Sequence, residues 1–117
     1  MGLSTHVLDT MHGSPAAGMH VALSTVSGAA ITLVKRFVLS ADGRNPDGLL
    51  YDSASLKAGQ YRLSFEVAAY FRSRGVALPE PAFLDVVHLD FGIAQPEQHY
   101  HVPLLCSPWS YSTYRGS

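Results

Sequence analysis

Turn-forming residues interrupt this chain so often that no long helix can survive in it. Gly13-Ser14-Pro15, Ser27-Gly28, the loop Ala41-Asp42-Gly43-Arg44-Asn45-Pro46-Asp47-Gly48, and the pair Pro79 and Pro81 all punctuate it. Between these breaks lie short apolar runs rich in Val, Leu and Thr. The runs at 3–9, 18–26, 31–39, 59–67, 83–91, 99–106 and 111–115 read as strands, with a shorter one at 48–51. Gly59 to Val67 alternates most regularly. Residues 68–74 allow one helix of no more than about two turns, stopped at Gly75 as a C-terminal glycine cap requires. Many short strands and one short helix predict an all-β, antiparallel β-sandwich. A chain of 117 residues fits one domain, spanning residues 1–117, and can bury a core without disulfides or metal.

Composition narrows the function classes. Net charge is −1, so no basic field would draw nucleic acid or an anionic membrane. Charged residues make up only 15% of the chain, which points weakly to surface hidden by self-association. The apolar stretches are too short to span a bilayer. Met1-Gly2-Leu3-Ser4-Thr5-His6 has neither the basic start nor the apolar run of a signal peptide, so a soluble cytoplasmic protein is expected. Cys106, the single cysteine, lies in an apolar run and reads as a buried small hydrophobe.

The groups capable of chemistry gather at the two ends of the chain. Tyr114-Arg115-Gly116-Ser117 carries an aromatic ring, a guanidinium, a hydroxyl and the terminal carboxylate. Chain ends are normally chemically dull, so this tail predicts that the two ends meet and build a site. Period-2 geometry puts Tyr100, Val102, Leu104 and Cys106 on the apolar face of their strand, and His99 and His101 on the other. In the first strand His6 shares a face with Ser4 and Leu8. His12 reads as a solvated turn residue, and His20 and His88 as surface or subunit-contact residues. His6, His99 and His101 could in principle bind zinc, but no acidic or thiol ligand lies close by in sequence, and no metal site is expected. Three solvated histidines without a role fit the same pattern. Arg44 is either a solvated loop residue or a guanidinium poised to grip an oxyanion. Ser117 lacks the surroundings of an acyl-enzyme nucleophile and reads as a proton-relay hydroxyl.

Several segments together resemble the transthyretin-like family. Leu3-Ser4-Thr5-His6-Val7-Leu8-Asp9-Thr10 with Gly13-Ser14-Pro15-Ala16 is similar to its opening signature. His99-Tyr100-His101-Val102-Pro103-Leu104-Leu105 and the segment from Ser107 to Ser117 are similar to its closing one. The terminal Tyr-Arg-Gly-Ser, with His6, Arg44 and His101, resembles the branch that hydrolyses 5-hydroxyisourate in urate breakdown rather than the hormone-carrying branch. The resemblance implies two four-stranded sheets, dimers joined through edge strands, and a homotetramer (a dimer of dimers) with sites in a channel between dimers. It implies a small-molecule substrate and no cofactor. It further implies catalytic roles for His6, Arg44, His101 and Ser117, and substrate contacts from His6, Arg44 and Tyr114. Of the two histidines, His101 is expected as the general base and His6 as its partner. A small-ligand carrier of the transthyretin type is the alternative.

Overall fold

The computed structural model describes residues 2–116, which form two facing sheets and one helix. In chain order the elements are β1 (Gly2–Asp9), β2 (Ser14–Pro15), β3 (His20–Ser27), β4 (Ala30–Val38), β5 (Tyr51–Asp52), β6 (Gly59–Glu66), α1 (Val67–Ser73), β7 (Val86–Ile93), β8 (Tyr100–Cys106) and β9 (Tyr111–Thr113). One sheet runs β2-β1-β8-β9, with β5 also paired to β1; the other runs β4-β3-β6-β7. The sandwich, its one short helix and the strand positions agree with the sequence reading to within a few residues. The two-residue β5 makes the first sheet five-stranded, where four strands were expected.

One pairing departs from an all-antiparallel pattern: β1 and β8 run parallel. Parallel neighbours cannot be joined by a tight turn. Here the connection is nearly the whole chain, so the two ends of the sequence lie side by side in one sheet.

Alternation drives the packing. Along β1, Leu3, Thr5, Val7 and Asp9 are buried while Ser4, His6 and Leu8 are half-buried on the opposite face. Along β8, Tyr100, Val102, Leu104 and Cys106 are buried, as expected from the two-residue period. The apolar side chains among these meet Leu23, Leu63, Phe65 and Leu89 from the second sheet in one core. Val67, Tyr70 and Phe71 of α1 join it. The helix ends where Gly75 adopts φ +81°, with its N–H on the Arg72 carbonyl and the Val76 N–H on the Phe71 carbonyl. These two bonds satisfy carbonyls that the helix end would leave unpaired.

Candidate active site

The outer face of the β1–β8 pair collects the groups singled out in the sequence. The parallel register sets Ser4 opposite His101 and His6 opposite Pro103. His6 and His101 therefore point to the same side of the sheet, from neighbouring strands, offset by one same-face position.

Arg44 reaches this face because its loop docks on β1. His6 and Arg44 form an antiparallel bridge, and the Val7 N–H donates to the Gly43 carbonyl at 2.9 Å. The loop is rigidified from within: the Asp42 carboxylate accepts from the Ser40 hydroxyl at 2.5 Å and from the Arg44 N–H at 3.1 Å. The Ser40 bond is the largest influence holding the Asp42 carboxyl below its ordinary range. Gly43 is required here twice over. Its φ is +75°, and a Cβ would lie 2.5 Å from the Val7 carbonyl oxygen and 3.3 Å from the His6 ring. The reward of this close approach is a bond from His6 Nε2 to the Asp42 carbonyl, 2.8 Å long. A carbonyl only accepts, so Nε2 carries the proton and Nδ1 is left as the acceptor of the neutral ring.

The tail reaches the face from the other side. Gly116 exchanges two backbone bonds with His101, 2.7 and 3.3 Å long. A Cβ at residue 116 would lie 2.9 Å from the His101 ring, so only glycine lets the tail lie this close. Arg115 pins the segment. Its guanidinium stacks 4.0 Å over the Tyr100 ring and donates to Gln98 Oε1 and the His99 carbonyl. Tyr114 is exposed. The tail is tied to β8. Ser117 lies outside the described residues.

His101 is further held by Ser4, whose Oγ is 2.8 Å from its Nδ1. Ser4 Oγ also lies 3.2 Å from His99 Nε2, and the Gly2 N–H donates to His99 Nδ1 at 3.1 Å. Burial first, then the Arg44 guanidinium and the neighbouring imidazoles of His6 and His99, depress the His101 pKa below the usual histidine value. His101 is therefore neutral at neutral pH.

The sequence reading missed Ser4, the Asp42 carbonyl and the bracing role of Gly116. Ser4 was legible only as a same-face neighbour of His6. His12 is an exposed turn residue, as expected, but it also has a partner. Its Nδ1 lies 2.6 Å from the buried Asp9 carboxylate, and its ring stacks on Phe71. Among the described residues, no three His, Cys, Asp or Glu side chains are disposed to share a metal ion. Two surface hollows of about 470 and 490 Å³ are lined by other residues than His6, Arg44 and His101. In the single chain this face is open.

A family model described as the HIUase/Transthyretin family matches residues 3–116. The chain is 53% identical over 116 residues to a 5-hydroxyisourate hydrolase of Deinococcus radiodurans, covering 99% of this chain and 96% of that one. It is 52% identical over 115 residues to 5-hydroxyisourate hydrolase 2 of Rhizobium meliloti, covering 98% and 95%. Among solved structures, the 5-hydroxyisourate hydrolase of Klebsiella pneumoniae superposes with a TM-score of 0.79 at 36% identity, with both chains fully covered. An (S)-allantoin synthase superposes at 0.92 and 46% identity; this chain is 99% covered and spans 43% of that longer one. Sea bream transthyretin, solved with thyroxine, superposes at 0.84 but is only 29% identical, covering 99% and 95%.

Proposed function

Because the chain belongs to the HIUase/transthyretin family, we propose that it hydrolyses 5-hydroxyisourate to 2-oxo-4-hydroxy-4-carboxy-5-ureidoimidazoline in urate degradation. The observation that carries this reading is the convergence of His6, Arg44 and His101 on one sheet face, each braced by backbone. A carrier would be served by an apolar lining instead. The sea bream transthyretin also shares less sequence, 29% against 52% and 53% for the two bacterial hydrolases of Rhizobium meliloti and Deinococcus radiodurans.

The reaction adds water to an amide carbonyl of the six-membered ring. A C–O bond forms and the ring C–N bond breaks. The nitrogen leaves with the electron pair and takes a proton, and the new carboxyl ionises. His6 is the general base. Its Nε2–H is committed to the Asp42 carbonyl, so Nδ1 holds the lone pair that takes the proton from water. This exchanges the roles expected from the sequence. Arg44 binds the substrate's oxygens through paired donors and stabilises the charge that develops on the carbonyl oxygen. Tyr114 lies against the flat heterocycle, and the Ser117 hydroxyl keeps the proton-relay role expected from the sequence.

The active assembly is a homotetramer in which two dimers enclose these faces. The open site, the unpaired outer edges of β7 and β9, and the exposed Trp109 and Tyr111 support this reading.

The test is ultraviolet monitoring of freshly generated 5-hydroxyisourate with and without the protein. Because the compound decays unaided, rates are compared. Loss at the spontaneous rate in the presence of folded protein would overturn the assignment.

A further inference from the structure

We propose that His99 and Ser4 are positioning residues that lock His101 as an Nε2–H hydrogen-bond donor, through a directed chain of hydrogen bonds starting at the Gly2 amide. This deepens the hydrolase reading and rests on it for its catalytic meaning.

The direction follows from counting protons. The Gly2 N–H can only donate, so His99 Nδ1, 3.1 Å away, must accept. Neutral His99 then carries its proton on Nε2 and donates to Ser4 Oγ at 3.2 Å. The Ser4 hydroxyl has one hydrogen. Its oxygen accepts from His99, and among these partners His101 Nδ1, 2.8 Å away, is the acceptor left for that hydrogen; the reverse, with Nδ1–H donating, would leave the hydroxyl hydrogen without a partner in the chain. A neutral imidazole whose Nδ1 accepts carries its proton on Nε2. The groups facing His101 reinforce the neutral state. Ser4 and His6 come from β1, Arg44 from the docked loop, and His99 from the segment leading into β8, while Gly116 closes the tail side.

The consequence is a division of labour. The two histidines present opposite functions to the substrate: a lone pair at His6 Nδ1 and a donor at His101 Nε2. The donor stabilises the oxygen on which negative charge develops, beside Arg44. Two histidines of free tautomer would populate this arrangement only in part. The chain of partners removes that ambiguity before substrate arrives.

Nitrogen-15 NMR of histidine-labelled protein reads the tautomer directly and needs no substrate. In the wild-type protein His101 should show a protonated Nε2 and an unprotonated Nδ1, and His99 the same. A protonated Nδ1 on neutral His101 would overturn the proposal. Ser4→Ala should give mixed tautomers at His101 and raise its pKa, since the neutral form loses the bond to its lone pair. It should lower kcat by about 10- to 100-fold with little change in KM, the scale of loss when a hydrogen-bond partner that orients a metal-bound histidine is removed. Ser4→Thr restores the hydroxyl and should restore both readouts, while His99→Ala should fall between wild type and Ser4→Ala. Unchanged kcat and an unchanged His101 spectrum in Ser4→Ala would also overturn the proposal. If the wild-type tautomer is as described but 5-hydroxyisourate decays at its spontaneous rate, the substrate assignment fails and the locked donor stands.

Discussion

At the scale of single residues, the site is built by two glycines as much as by the groups that touch substrate. Gly43 lets its loop close on the Val7 carbonyl beside the His6 ring, and Gly116 lets the tail close on the His101 ring, at distances a methyl group would forbid. Gly13 offers the control, because it too has positive φ but faces open space. Gly13→Ala should cost only the left-handed strain, about 1–2 kcal/mol, and leave turnover unchanged. Gly43→Ala adds the clash with the Val7 carbonyl, so the loop must lift and carry Arg44 away. It should lose more stability than Gly13→Ala and most of its activity. Thermal melts with turnover assays check both, and normal turnover in Gly43→Ala would show that loop docking is not needed. The histidines make a second pair. His6→Asn and His101→Asn should each slow turnover by about 10²–10⁴-fold. The double variant should lose far less than the product, because a base and an oxyanion donor that serve one transition state act as a unit. Fully multiplicative losses would mean that they act independently.

At the scale of elements, the end of β1 is fastened to α1 through one buried carboxylate. Asp9 has no exposed side-chain surface, yet it accepts from the His12 N–H, the His12 ring and the Tyr70 hydroxyl, with Arg74 3.7 Å away. Burial alone would raise its pKa. The His12 backbone bond, the Tyr70 hydroxyl and the His12 ring outweigh it, and the net shift is downward from 3.8. The sign of the pH effect follows. Above 3.8 the carboxylate is ionised in both folded and unfolded chains, and its contribution to stability is fully present. As pH falls, the unfolded chain takes up the proton first, and the contribution is lost as pH passes through the lower, folded value. Asp9→Asn should therefore lower the melting temperature at neutral pH. It should also flatten the loss of stability between about pH 5 and about pH 2. Melting temperatures across that range test this, and an acid limb of wild-type steepness in the variant would assign the acid sensitivity to other groups.

At the scale of the whole molecule, the core and the site are separable. Every buried hydrophobic residue of the core lies at or before Cys106, whereas the tail that braces His101 begins beyond it. Each fully buried Leu or Phe contributes about 1.5–3 kcal/mol, so the sandwich does not depend on the last four residues. Deleting residues 114–117 should leave the sandwich folded by circular dichroism and reduce turnover to near background. A truncated protein that works at the wild-type rate would remove the tail from the mechanism. The same reasoning bears on assembly, since a face left open in one chain must be closed by another if the substrate is to be desolvated. Light scattering at micromolar concentration should find a tetramer. A fully active monomer would contradict the shared channel.

Local physics made much of this legible in the chain. The two-residue period placed Val102, Leu104 and Cys106 inward and His101 outward, because alternation is a property of each strand alone. The cap at Gly75 and the loop around Gly43 follow equally from the backbone preferences of glycine. What sequence alone could not decide is who meets whom. Ser4 and His101 stand 97 positions apart, and their contact depends on the parallel register of β1 on β8, which only the packed core specifies. The Asp42 carbonyl that orients His6 is a backbone atom, and such atoms carry no mark in a sequence. The tie between His12 and Asp9 was hidden for a similar reason: Asp9 is buried by Tyr70 of α1, sixty-one residues away. The chain itself determines which chemical groups are present and which way each strand presents them. Tertiary structure determines their protonation, because a proton's position depends on the nearest acceptor, and long-range pairing chooses that neighbour.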